Sequence, residues 1–253
     1  MFGLITAARI TSGASPSGGR CDRVRVLAMD TSGESVSAAV IDGRRVIFEA
    51  FERAERTHSA RLMTLVERAL TAAGWGMGDV ERIAVVAGPG SYTGVRIGVS
   101  TARGLAQGAG IPCVGLDTLE VLAARAVGLG FGMVCPLLDA RAGQVYGAAF
   151  DCGGDSPVRL TDDAACALEE FLDGVQGDGG AAFTGSGAAA MWDRIAGRFG
   201  GRAVILPESL ASPLASAAGL LAEDRPAVTY NGLTPIYLRL PQAERERVAR
   251  QGA

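Results

Sequence analysis

Apolar and polar positions recur with two different periods along this chain, and the change of period marks its elements. The clearest change lies within residues 83–104. Residues 83–87 form an unbroken apolar run, which predicts a strand buried on both faces. Gly88-Pro89-Gly90 interrupts it. Val95, Val99, Ala102 and Ala106 then follow at helical spacing, with Ser91 or Thr93 as the helix cap. Strand, glycine loop and helix N-terminus point backbone N–H groups into one concavity, which suits an anion. A tight strand-to-helix turn that needs glycine for its backbone angles accounts for the same residues.

Ahead of this stretch, residues 24–29, 36–41 and 46–51 predict three strands. A turn at Asp42-Gly43 makes an antiparallel meander. Asp30-Thr31-Ser32-Gly33 joins the first two strands. Residues 57–73 predict a helix capped by Thr57 and ended by Gly74. Its stripe is Leu62, Leu65, Val66, Ala69 and Leu70, with Arg61, Glu67 and Arg68 elsewhere. Residues 111–115 predict a short strand, and Asp117 or Thr118 caps a helix running to about Val127. The result is a mixed sheet covered by helices, a first lobe over residues 23–128.

Residues 129–240 repeat that element order as a second lobe. Strands are expected at 134–138, at 144–150 and near Val158, then a helix at 165–172. A strand at 181–184 precedes Gly185-Ser186-Gly187, and a helix starts near Ala188. A strand at 204–206 leads to a helix at 212–223, with Pro213 in its first turn. Residues 1–22 and 241–253 are set aside as a leader and a polar tail. The leader holds Arg9 and Arg20 and no acid before Asp22, the bias of a transit segment; a start placed too early accounts for it equally.

Composition agrees with an α/β chain: 253 residues, 48% hydrophobic, and 36 glycines. The net charge of −3 gives no global basic footprint for nucleic acid, and all 24 cationic residues are arginines. The five cysteines are scattered without a C-x-x-C, so buried thiols in a reduced cytoplasm are expected. No apolar run reaches the ~18 residues of a membrane span. His58 is the single histidine, so a multi-histidine metal site within this chain is excluded. No Lys follows the glycines, so the loop is not a Walker A loop. Ser91 lies between Gly90 and Tyr92, outside a Gly-x-Ser-x-Gly elbow.

Gly88-Pro89-Gly90-Ser91-Tyr92-Thr93-Gly94-Val95-Arg96-Ile97-Gly98 closely resembles the signature of the bacterial TsaB (YeaZ) family. Three further segments resemble that family: His58-Ser59 at the start of a helix, Asp139-Ala140-Arg141 followed by Gln144-Val145-Tyr146, and Pro235-Ile236-Tyr237-Leu238-Arg239. Gln144 stands where the family usually has Glu. The resemblance covers residues 24–240. It implies an actin-like (ASKHA) two-lobed α/β fold. It also implies a non-catalytic subunit that dimerises and activates TsaD for threonylcarbamoyl transfer to adenosine 37 of tRNA.

In that fold an Asp-x-Gly-Thr loop approaches nucleotide phosphates. Here Ser32 stands in place of the glycine, so the site is degraded or remodelled. The resemblance marks Asp30, Thr31, Ser32, Gly88, Gly90, Ser91 and Thr93 as nucleotide-binding, with ATP or ADP at the junction with TsaD. Asp30 as a plain turn former carries equal weight. TsaD holds a metal with His-x-x-x-His. Carried onto this chain those positions are Thr118 and Leu122, neither of which can replace an imidazole. No catalytic residue and no metal ligand is assigned.

The helix at 93–108 is rich in small residues, and each interior glycine costs up to ~1 kcal/mol. Such a helix approaches its own sheet or another helix closely. The resemblance implies an interface for self-association and for TsaD, through His58, Leu62, Leu65, Val95, Gly98, Val99 and Ala102. TsaE is a further expected partner, and tRNA an indirect one. The alternative is a self-sufficient enzyme, an M22-like metallopeptidase or an actin-fold ATPase or kinase. The missing histidine pair opposes the first, and the altered Asp30 loop and the lack of a second Gly-Gly-Thr loop oppose the second.

Overall fold

The computed structural model describes residues 23–53, 58–175 and 179–239. The leader, Thr57 and the tail lie outside them. The first lobe opens with β1 (Arg25–Asp30), β2 (Ser35–Asp42) and β3 (Arg45–Arg53), followed by α1 (His58–Ala73). Then come β4 (Arg82–Gly88), α2 (Tyr92–Ala109), β5 (Cys113–Asp117) and α3 (Thr118–Ala124). The five strands lie in the order β3-β2-β1-β4-β5. β1 pairs antiparallel with β2 and parallel with β4.

The unbroken apolar runs are explained by two covered faces. Leu27, Met29, Ile83, Val85 and Ala87 face α1 and α2, whereas Val26, Ala28, Ala84 and Val86 face the opposite layer. A side chain such as Leu27, fully buried, contributes about 1.5–3 kcal/mol.

The second lobe contains β6 (Met133–Asp139), β7 (Gln144–Gly147), β8 (Phe150–Asp151), β9 (Val158–Arg159) and β10 (Ala164–Ala167). It continues with α4 (Leu168–Gly174), β11 (Ala181–Thr184), α5 (Ser186–Ala190), α6 (Trp192–Phe199) and β12 (Ala203–Ile205). Its main path, β10-β7-β6-β11-β12, repeats the first lobe position by position, with β8 and β9 as an added pair. This is the actin-like duplication expected from the order of elements.

Three local expectations differ. The helix expected at 165–172 begins only at Leu168. Ala164–Ala167 instead pairs antiparallel with β7, and that ladder overrides the helical propensity of Ala-Ala-Cys-Ala. The strand expected at 144–150 is two strands, both paired with β6, separated at Ala148 and Ala149. The third difference is the largest. The helix expected from 212 is α7 (Ala215–Ala222), and it packs on the first lobe's sheet. It does so although it follows the second lobe's strands in sequence.

The reason is steric. Ala215, Ala218 and Ala222 meet a sheet surface floored by Ala28, Ala39 and Ala84. A Cβ at Gly219 would run into Ile41 and Ala28. First-lobe side chains cap both ends of α7. Ser37 Oγ accepts from Ala215 N at 2.9 Å, and Glu49 accepts from Ser216 N at 2.8 Å. Arg82 Nη1 donates to the Ala222 and Glu223 carbonyls at 2.5 and 3.1 Å. The two crossings between lobes are tied together by Arg125, which follows α3 and donates to the carbonyls of Ser209 and Ser212.

Candidate functional site

The loop after β1 and the glycine loop after β4 meet at the carboxyl ends of these two inner, parallel strands. Asp30 is fully buried, and its Oδ1 accepts from Ser32 N at 2.8 Å. Its Oδ2 is buried without a partner, and burial pushes the carboxyl up to about 7. Thr31 Oγ1 donates to the Gly94 carbonyl at 2.7 Å, and Ser91 N donates to the Ser32 carbonyl at 2.7 Å. Ser91 Oγ caps α2 by accepting from Gly94 N at 3.3 Å. A Cβ at Gly90 would run into the Ser32 carbonyl, and one at Gly94 into that of Thr31.

The structure thus brings together Asp30, Thr31, Ser32, Gly88, Gly90 and Ser91, but they bond to one another. The Ile236 carbonyl lies against Gly88, whose φ is +117°, and Ile236 N donates to Ala87 O at 2.7 Å. Thr93 is exposed, on the outer side of α2. Buried carboxyl, engaged Ser91 N–H and covered Gly88 do not fit a phosphate group. The glycines serve close approach of the chain to itself.

The second lobe repeats the device. Asp139 Oδ1 accepts from Arg141 N at 2.7 Å, and Ser186 Oγ accepts from Asp139 N at 3.2 Å. A Cβ at Gly187 would crowd the backbone of Leu138 and Asp139. Thr118 and Leu122 are buried, and Leu122 packs beside Gly185. Among the described residues no three His, Cys, Asp or Glu side chains group as metal ligands. Asp117 caps α3 through Glu120 N at 2.9 Å and pairs with Arg159 at 3.2 Å. Burial, then neighbouring Asp163, pushes Asp117 up to about 7.

Of the expected interface residues, Leu62, Leu65, Val95, Gly98, Val99 and Ala102 face inward. Leu62, Leu65, Val95, Val99 and Ala102 are 0–2% exposed and form the core beneath the sheet. A Cβ at Gly98 would come within 2.6 Å of Thr31 Oγ1. The stripe that amphipathic spacing singles out is the inward one. His58 begins α1, but its side chain lies outside the described residues.

The outward face of α2 carries Tyr92, Thr93, Arg96, Ile97 and Ser100, which line an open groove of about 310 Å³. Arg96 donates to Tyr92 Oη at 3.2 Å, and its guanidinium lies 5.4 Å from the centre of that ring. Tyr92 also meets Tyr237, ring centres 4.9 Å apart. None of these five groove residues except Thr93 follows from the expected site. Their signal was present: from Tyr92 to Leu116 the chain has Arg96 and Arg103 and no acid. Tyr237 lies in the segment 235–239 that resembles the family, but nothing in the sequence showed that it meets Tyr92.

The family model described as "TsaD: tRNA N6-adenosine threonylcarbamoyltransferase" matches residues 51–205. The chain is 32% identical over 228 residues to the tRNA threonylcarbamoyladenosine biosynthesis protein TsaB of Bacillus subtilis, covering 89% of this chain and 99% of that one. It is 40% identical over 128 residues to the Escherichia coli protein of the same name, covering 50% of this chain and 55% of that one. Among solved structures it is similar to YeaZ from Pseudomonas aeruginosa, with a TM-score of 0.72, 27% identity, and coverage of 85% of this chain and 100% of that one.

Proposed function

The chain belongs to the TsaB (YeaZ) family of tRNA threonylcarbamoyladenosine biosynthesis proteins, and on that premise we propose that it is the subunit that binds and activates TsaD without carrying the chemistry itself. The observation that supports this reading most is the pairing of two features. The positions of the metal-binding histidines are Thr118 and Leu122, both packed in the interior. Meanwhile α2 turns Tyr92, Arg96 and Ile97 outward around an open groove.

TsaD docks on that outer face. The acid-free run of residues 92–116 favours a partner presenting carboxylates there. A second copy of this chain takes the same face when TsaD is absent. ATP or ADP at the junction draws its phosphate ligands from TsaD, because Ser91 N–H and the Asp30 loop are engaged internally. TsaE joins the assembled pair, and tRNA is reached through TsaD. The site of action is the cytoplasm; no helix among the described residues is long and apolar enough to cross a membrane.

Reconstitution tests this. The purified chain alone has no transferase, peptidase or ATPase turnover. Added to TsaD, TsaE and the enzyme that makes the threonylcarbamoyl adenylate, it restores modification of tRNA. Arg96→Glu abolishes both TsaD binding and restoration while the thermal midpoint stays unchanged. Turnover by the isolated chain, or full activity of Arg96→Glu, would refute the proposal.

A further inference from the structure

The segment after α7 returns across the first lobe as a strap. Val228 and Cys113 exchange hydrogen bonds at 2.8 Å, which lays the strap on the free edge of β5. Leu233 enters the core and is 2% exposed, lying against Gly115, where a Cβ would come within 3.1 Å of it. Ile236 then bonds to Ala87. These three anchors fix where the next residue, Tyr237, emerges. It emerges against Tyr92, at the first turn of α2.

The strap therefore ends against Tyr92, one of the residues that line the groove. Tyr237 and Tyr92 are both about two-fifths exposed, at 42% and 39%. Tyr92 touches both the Tyr237 ring and the Arg96 guanidinium. Free in solution, an exposed tyrosine on a helix samples several rotamers. A packed ring and a hydrogen-bonded cation together narrow that choice. The orientation of Tyr92 in turn fixes Arg96, whose Nη1 donates to Tyr92 Oη.

We infer that Tyr237 is a positioning residue for the partner-docking face: by packing on Tyr92 it holds the Tyr92–Arg96 pair in the orientation that an acidic partner surface reads. The inference rests on the proposed docking of TsaD at α2. It concerns how that face is preorganised, and not whether it is used. Preorganisation raises affinity by removing the entropy that binding would otherwise have to freeze. An aromatic pair of this kind is worth about 0.5–1.5 kcal/mol, or ~2- to 10-fold in affinity.

The test is a double-mutant cycle on the full chain, with TsaD binding read by calorimetry. Tyr237→Ala weakens binding ~2- to 10-fold and leaves the thermal midpoint within a degree or two, since the ring is largely at the surface. Tyr237→Phe binds as the wild type does, because the ring and not the hydroxyl does the positioning. Tyr92→Ala together with Tyr237→Ala is no weaker than Tyr92→Ala alone. Additive losses, or a Tyr237→Ala protein that binds normally, overturn the inference. If Arg96→Glu also binds normally, the docking face itself is wrong; if only the Tyr237 variants are silent, the face stands and its positioning by the strap does not.

Discussion

Thr31 Oγ1 donates a 2.7 Å hydrogen bond to the carbonyl of Gly94, joining the loop after β1 to the first turn of α2. The contact is tight enough that the Thr31 carbonyl occupies the place of a Cβ at Gly94. It explains why a helix with so many glycines is stable: some of them are where the helix touches its own sheet.

Two classes of glycine in α2 should therefore respond oppositely. Gly94→Ala forces the two loops apart and destabilises by about 2 kcal/mol or more. Gly104 and Gly108 face open space, so replacing either with Ala stabilises by about 0.5–1 kcal/mol through helix propensity. Urea unfolding of the three variants checks this. Equal signs at 94 and 104 would contradict the assignment of Gly94 to close packing.

Arg82 gives a second prediction. Its guanidinium satisfies the carbonyls at the C-terminus of α7 from a strand in the middle of the sheet. Arg82→Met removes the side-chain donor from both carbonyls, leaving Ala222 O only the Arg225 N–H at 3.3 Å, and costs about 1–3 kcal/mol. Amides of α7 should then exchange hydrogen faster than those of β4. By contrast, Arg44→Ala removes an exposed ion pair with Asp224 at 3.4 Å and a long one with Glu223 at 4.0 Å, and changes stability by less than ~1 kcal/mol.

Asp30 sets a pH dependence. Its carboxyl is raised from the ordinary 3.8 to about 7, first by burial. The folded state holds the proton more tightly than the unfolded state. The contribution to stability is therefore complete below pH 3.8 and is lost as pH rises toward about 7. The slope in that window is up to about 1.4 kcal/mol per pH unit. Asp30→Asn keeps an acceptor for Ser32 N and removes the titration. Relative to wild type the variant gains stability steadily from pH 4.5 to 7 and then levels off. Parallel curves for the two proteins in urea titrations at pH 4.5, 6 and 8 would exclude this role.

The order of strands and helices was legible because each depends on neighbours in sequence. The run at 83–87 reads as a doubly covered strand, and caps read at Ser91 or Thr93 and at Asp117 or Thr118, of which the structure uses Ser91 and Asp117, because burial periodicity and helix-end hydrogen bonding are local. The candidate site was legible only in part. The spacing of Val95, Val99 and Ala102 reveals an amphipathic helix, and the structure puts that stripe in the core. Taking the apolar stripe as the interface placed the site on the buried side. Likewise the structure places Asp30 near residues 88–91, but sequence could not show that the donors and acceptors of these loops are used on each other.

Sequence alone determined the family, the duplicated order of elements and the loss of histidines at Thr118 and Leu122, since each is carried by residue identity along the chain. The tertiary structure decided where α7 and the strap go. Both lie more than 100 residues from the strands they cover, and their placement depends on complementary shape: alanines and Gly219 against alanines, Leu233 beside Gly115, Tyr237 on Tyr92. Such fits are set by the surface that remains after the local elements have formed, which no local pattern encodes.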